Sequence, residues 1–93
     1  MTHLLLLITA EGLRTEHPAT EGTELGIMRR HLGQLDIGIS SPWQFAVAEW
    51  SADSAPFNPA ASEMLGRRIF GDCFVWGVGP GGASTSWNSD TGF

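Results

Sequence analysis

The sequence predicts a small α+β domain in which two helices pack on one face of an antiparallel or mixed sheet. Two observations support this prediction: short apolar or alternating runs that suit strands, and two segments with the capping residues and apolar spacing of helices. Their order is β-(β)-α-β-β-α-β, which is compatible with a ferredoxin-like topology. The domain is expected to span residues 1–78, followed by a Gly/Ser-rich tail at 79–93.

The first half of the chain supplies two strands and one helix. Residues 2–10 are apolar on both faces, as in a central strand, and residues 13–17 alternate like the second strand of a hairpin. Residues 23–33 form the first expected helix, with Gly33 at its end, and Gly26 inside it indicates close packing against the sheet. The expected buried stripe of this helix consists of Leu25, Met28 and Leu32.

The second half supplies three more strands and a shorter helix. Residues 35–39 alternate strictly between apolar and other residues, and residues 43–50 form the next strand. The second helix occupies 58–66, where Asn58 is a strong N-cap residue. The last apolar strand is expected over residues 72–78.

Composition limits the classes of protein to which the chain can belong. It has 93 residues, of which 42% are hydrophobic and 16% charged, so we expect one globular domain. The formal net charge is −5 and all five cationic side chains are arginine, without a basic stripe, so nucleic-acid binding is not favoured. The apolar runs are too short for a membrane span or a signal peptide, and a cytoplasmic location is expected.

The glycines of residues 77–82 have the spacing G-x-G-x-x-G, directly after an apolar strand. A dinucleotide site also needs a helix whose N-terminus faces the pyrophosphate. Residues 83–93 have no helical period, and Pro80 removes one backbone donor from such a cradle. We therefore expect these glycines to release the chain from the sheet edge into the tail, and we predict no cofactor.

Few residues suggest catalysis or metal binding. The single cysteine, Cys73, lies among apolar neighbours, as a core thiol does, and it excludes an internal disulfide. The three histidines lack a paired metal-binding spacing. Glu49 is a candidate general acid between tryptophan positions, but it has no identifiable partner. A small hydrolase using Cys73 or Glu49 is the least favoured function, and we predict no catalytic residue and no metal site.

Surplus tryptophan and paired arginines are the most unusual features of this composition. Trp and Arg are the residue types that most often anchor interfaces. Four tryptophans in so small a core cannot all be fully buried. The predicted partner-binding residues are Trp50, Trp87, Arg67, Arg68 and Phe93.

Residues 57–77 carry the run FNPAASEMLGRRIFGDCFVWG. This run resembles the C-terminal segment of an uncharacterised family of small proteins from actinobacteria and their phages and plasmids, whose members typically show Asn-Pro-x-Ala-Ser/Thr, an apolar pair, Gly-Arg and an apolar strand. The likeness extends over residues 3–78. The matching positions are Asn58, Pro59, Ala61, Ser62, Leu65, Gly66, Arg67, Ile69, Gly71 and Val75.

This resemblance implies a phage or mobile-element accessory protein, and the lysine-free composition agrees with such a host. The favoured function is non-catalytic binding of a host or phage protein, for example to modulate a host system. The alternative is sequestration of a small ligand such as a nucleotide signal, with Arg67 and Arg68 holding phosphate and a Trp face holding the base. A homo-oligomer is also compatible with the sequence.

Overall fold

Six strands form one antiparallel sheet in the computed structural model, which describes residues 2–88 except the side chains of Ala52 and Pro80. The sheet order is β2-β1-β5-β4-β3, and the short β6 pairs with β5. The strands are β1 (Thr2–Ile8), β2 (Arg14–Thr20), β3 (Leu35–Ser40), β4 (Trp43–Ala48), β5 (Cys73–Val78) and β6 (Ser84–Thr85). The helices are α1 (Glu24–Leu32), α2 (Ser51–Ser54) and α3 (Pro59–Leu65), with a 3-10 turn at Pro80–Gly82.

The predicted α+β class and the antiparallel sheet are confirmed, but the predicted placement of both helices on one face is wrong. Alternate residues of β1 point to opposite faces, and both sets are apolar. Leu5 and Leu7 pack with α1, whereas Leu6 and Ile8 pack with α3. The central strands therefore need a helix on each face, which we call the α1 face and the α3 face.

The strand order also leaves the ferredoxin-like topology unconfirmed. The last long strand, β5, lies between β1 and β4 and pairs antiparallel with both. The structure adds the one-turn α2 and the short β6 to the expected sequence of elements.

On the α1 face, the helix covers only part of the sheet. Met28 and Leu32 are buried, as predicted, and belong to the same core cluster as Phe74. Leu25 is 42% exposed, because it lies towards the edge of the sheet rather than above its centre. The expected close packing at Gly26 is also wrong, since a Cβ there would have no heavy atom within 4 Å outside its own helix and neighbours.

On the α3 face, one polar residue anchors the helix to the sheet. Asn58 caps α3 by accepting a hydrogen bond from the Ala61 N–H, as its sequence position predicts. Its fully buried Nδ2 also donates to the carbonyl oxygens of Ile8, at 3.0 Å, and Gly71, at 2.8 Å. Asn58 therefore ties α3 to the end of β1 and to the loop before β5.

The glycine segment after β5 is a turn that brings the chain back to the sheet. The Gly79 N–H donates to the Ala83 carbonyl at 2.7 Å, and Gly77 then lies opposite Thr85 of β6. The next residues contact the start of β1, where the Leu4 N–H donates to Ser86 Oγ at 2.8 Å. Residues 83–88 thus pack on the sheet, and residues 89–93 lie outside the described residues.

Candidate functional site

The outer edge of β3 is a candidate interaction site. No residue among 2–88 pairs with this edge, because β3 is the last strand of the sheet on that side. Ile37 and Ile39 are 46% and 62% exposed, respectively. Their side chains lie on the α1 face, since Ile37 is opposite Ala46, whose side chain belongs to the core of that face. We call this unpaired strand edge, with its two isoleucines, the β3 edge.

The hydrogen-bonding groups of β3 alternate in direction. The Glu49 N–H donates to the Gln34 carbonyl at 2.8 Å, so residue 34 bonds towards β4. In an antiparallel pair these bonds recur at every second residue. The N–H and C=O groups of residues 35, 37 and 39 therefore point outwards, away from the sheet. The β3 edge thus combines free backbone donors and acceptors with apolar side chains.

The opposite edge of the sheet, formed by β2, has a different character. It carries Arg14, Glu16 and Pro18, of which Pro18 lacks a backbone donor. Charged side chains and proline are the usual means by which proteins prevent pairing at an edge strand. The expected end of this strand before Pro18 is also wrong, because β2 continues to Thr20 and an edge strand tolerates proline.

An apolar groove adjoins the β3 edge on the α1 face. It has a volume of about 390 Å³. Leu25, Ile37 and the buried Trp76 and Met28 form its apolar walls, and Glu24, Gln44 and Ser84 add polar groups at its margin. The Trp76 indole N–H donates to Gln44 Oε1 at 2.9 Å, which fixes the ring in the groove wall. The groove is therefore a preformed apolar hollow beside free backbone groups.

A cleft of about 270 Å³ adjoins the same edge on the α3 face. Arg67, Arg68 and two carboxylates, Asp36 and Glu49, contribute to its lining. The Arg67 guanidinium carbon lies 5.0 Å from the centre of the Phe45 ring, within reach of a cation–π interaction. We call this hollow the arginine cleft, and it brings the two predicted arginines together.

The structure does not gather all of the predicted partner-binding residues into one patch. Trp50 is 56% exposed, two residues beyond the end of β4, in a separate hollow that His31 and Asp72 also line. Trp87 lies at the other end of β4, roughly 20 Å away by the strand rise per residue. Phe93 lies outside the described residues.

Trp87 makes several contacts within the fold. Its indole N–H donates to Glu16 Oε2 at 2.8 Å, and its carbonyl oxygen accepts from Trp43 Nε1 at 2.7 Å. Its backbone N–H donates to the Leu4 carbonyl at 3.1 Å, and its ring packs against the apolar core of the α3 face. A partner could therefore contact only the part of Trp87 that these interactions leave exposed.

The residues considered for catalysis have different surroundings. Cys73 is fully buried, and this burial raises the pKa of its thiol to about 12, so the thiol stays protonated at neutral pH. Glu49 is exposed in the arginine cleft. Within residues 2–88, no group of three or more His, Cys, Asp or Glu side chains is placed to hold a metal ion. None of the helices in this range has the length and apolar character needed to cross a membrane.

Two histidines form an aromatic cluster with Phe74 on the α1 face. The ring centres of His17 and His31 lie 5.3 Å apart, and each packs edge-on against Phe74 at about 5.5 Å. Burial, with a smaller contribution from His31, lowers the pKa of His17 below its ordinary value of 6.5. The folded state therefore binds fewer protons at His17 than the unfolded state does.

We expect the protein to lose stability as the pH falls below the ordinary histidine value. The pKa of His17 is lower in the folded state than in the unfolded state, so protonation of His17 favours unfolding. Well above pH 6.5 neither state is protonated there and the free energy of unfolding is unaffected. It decreases as the pH falls through that value. Thermal unfolding measured between about pH 7.5 and about pH 5 checks this. The Tm of the wild type should fall more steeply with decreasing pH than the Tm of His17→Gln. Equal slopes for the two proteins would contradict the assignment.

The β3 edge is the feature that sequence reasoning missed. The alternation of residues 35–39 predicted the strand correctly, but the pattern indicates a buried face equally well. No local signal shows that β3 is an edge strand, since that depends on which strands pair across the chain. The charges and Pro18 of β2 are typical of a protected edge strand, whereas β3 has one charged residue, Asp36, and no proline.

No family model, curated protein or solved structure matches this chain. The functional argument therefore depends on the β3 edge, the apolar groove and the arginine cleft themselves.

Proposed function

We propose that this protein is a non-catalytic interaction module that binds an extended protein segment along the β3 edge. The observation that supports this most strongly is the contrast between the two sheet edges. One carries two charges and a proline, whereas the other carries a single charge, Asp36, and exposes Ile37 and Ile39 beside free backbone groups. Addition of a strand to an exposed sheet edge is a recurrent mode of peptide recognition.

The hollows on both sides of the edge support recognition of particular side chains. In strand addition, main-chain hydrogen bonds supply affinity, and pockets for alternate side chains supply specificity. The apolar groove beside Ile37 suits apolar side chains on the α1 face. On the α3 face, Arg67 and Arg68 favour an acidic side chain, because guanidinium groups pair well with carboxylates, provided that it does not lie directly opposite Asp36. The preferred segment has apolar residues at alternate positions and an acidic residue between them, away from Asp36.

The identity of the partner and the biological setting belong to the same proposal. The likeness of residues 57–77 to proteins of actinobacteria and their phages favours a phage or mobile-element accessory role, with a host or phage protein as the partner. Arg67 and Arg68 then act as partner contacts beside the edge, and Trp50 is a further candidate contact at a distance from it.

A random peptide library selected against the immobilised protein tests this function. We expect enriched peptides to have apolar residues at alternate positions with an acidic residue between them, and to shift the backbone NMR signals of residues 35–40. Ile39→Lys, which adds a charge to the edge, should lose this binding. Leu13→Lys is the matched control, because Leu13 is also an exposed apolar residue, at 64%, but lies in the β1–β2 turn. Peptides that bind both variants equally would contradict the proposal.

A second candidate function is the binding of a small anionic ligand in the arginine cleft. It is favoured by the convergence of Arg67 and Arg68 on one hollow with the Phe45 ring. Among the described lining residues no tryptophan is present, so the base of a nucleotide would contact Phe45 or Phe70 instead. Calorimetric titration with ATP and with a cyclic dinucleotide tests this, and Arg67→Ala/Arg68→Ala should abolish any binding.

A further inference from the structure

We infer that the β3 edge binds the β3 edge of a second copy of this chain, in an antiparallel pair centred on Ile37. This inference rests on the proposed function, because it concerns the same edge: a second copy occupies the edge when no segment of a host or phage protein is bound there. The pairing would extend the sheet across a twofold axis perpendicular to it. Most oligomers of a single chain have such closed twofold symmetry.

The alternation of side chains in β3 restricts the possible registers. A twofold axis perpendicular to the sheet keeps the two α1 faces on the same side, so residues of that face must oppose each other. The pattern Leu35, Ile37, Ile39 is symmetric about its centre. With Ile37 opposite its own copy, Leu35 lies opposite Ile39, and all three apolar residues of the strand are paired.

The free backbone groups of the β3 edge agree with this register. The N–H and C=O groups that point outwards belong to residues 35, 37 and 39, as the bond from Glu49 to Gln34 requires. In the proposed pair these same residues oppose one another. Each outward donor therefore meets an outward acceptor of the second copy, and neither strand must break a bond to β4.

Charge distinguishes this register from its neighbours. In the proposed pair, Asp36 lies opposite Gly38 of the second copy. A shift of two residues in one direction brings the two Asp36 carboxylates directly opposite each other, which is unfavourable. A shift in the other direction places Leu35 opposite Ser41, so that two apolar pairs remain instead of three and neither Leu35 has an apolar partner. The register centred on Ile37 is the one that avoids both penalties.

The two edges of the sheet explain why assembly would stop at two copies. A filament would need β3 of one copy to pair with β2 of the next, in a head-to-tail contact. Arg14, Glu16 and Pro18 make the β2 edge a poor acceptor. The twofold pair uses both β3 edges and leaves only β2 edges at its ends, so it is closed. A contact through one short strand is small, and we expect the dimer to depend on concentration.

Engineered cysteines test the register. Residues opposite each other in a hydrogen-bonded antiparallel pair have Cα atoms about 5.5 Å apart, within the range that a disulfide spans. Ile37→Cys should therefore form a disulfide-linked dimer under mild oxidation. Ile39→Cys, at a position that is more exposed than Ile37 but opposite Leu35 in this register, should form far less. The native Cys73 is fully buried and does not compete. Similar cross-linking at both positions would overturn the register.

Sedimentation velocity from micromolar to near-millimolar protein tests the dimer itself. The wild type and Leu13→Lys should approach twice the monomer mass, whereas Ile37→Lys, which opposes two cations at the axis, should remain monomeric. A wild type that stays monomeric throughout would overturn the inference. The peptide selection described above separates the two proposals: if the monomer still binds peptides at residues 35–40, the edge remains a binding site and only its assignment to a second copy is wrong.

Discussion

Replacement of Asn58 by alanine is expected to lower the free energy of unfolding by about 3–5 kcal/mol. The substitution removes the side-chain partner of three buried backbone groups: the carbonyls of Ile8 and Gly71 and the N–H of Ala61. Each unpaired buried group costs about 1–3 kcal/mol, whereas loss of an exposed N-cap alone costs about 1 kcal/mol. Urea-induced unfolding measures the difference.

The aspartate variant separates the two roles of Asn58. Asn58→Asp keeps the oxygen that caps α3, but it turns an acceptor towards the carbonyls of Ile8 and Gly71. We expect it to be at least as destabilising as the alanine variant. Glu63→Ala, at an exposed position of the same helix, should change stability by less than about 0.5 kcal/mol. An aspartate variant as stable as the wild type would show that Asn58 is a cap and nothing more.

Local chemistry made much of the fold predictable. Asn58 caps α3 as expected, because an N-cap preference depends only on the adjacent helical turn. The apolar character of both faces of β1 correctly indicated a central strand. The side on which each helix packs was not predictable, since it depends on how the connections cross the sheet. The two apolar faces of β1 indicate cover on both sides of the sheet, but not which helix provides it on each side.

The candidate site was less predictable, because interface residues and core residues share a composition. The tryptophans indicated an interface, yet the indole N–H groups of Trp43, Trp76 and Trp87 all bond within the fold. Of the four, Trp50 is the most exposed. Arg67 and Arg68 do share one cleft, as their adjacency suggested. The exposure of Ile37 could not be foreseen, because it depends on strand pairing between distant parts of the chain.

Two glycines of the run at residues 77–82 are needed for packing, although their spacing resembles a nucleotide-binding motif. A Cβ on Gly77 would lie 2.6 Å from the Ser86 carbonyl oxygen and would also collide with Thr85 Oγ1. A Cβ on Gly79 would contact a methyl group of Thr85, at 2.9 Å. Gly77 therefore allows the backbone of residues 85–86 to lie close against β5, an approach that only glycine permits, and Gly79 makes room for the Thr85 side chain.

Gly77→Ala is therefore expected to lower the free energy of unfolding by about 2–3 kcal/mol and to displace residues 84–88 from the sheet. Displacement would break the bond from Trp43 to the Trp87 carbonyl, so tryptophan fluorescence should report it. Adding Thr85→Ala should not restore stability, because the Ser86 carbonyl belongs to the backbone. The matched control is Gly26→Ala, the same change in open space within α1, which should stabilise the protein by up to about 1 kcal/mol. If Gly77→Ala were neutral, or were rescued by Thr85→Ala, the close approach of β6 to β5 would not be a determinant of the fold.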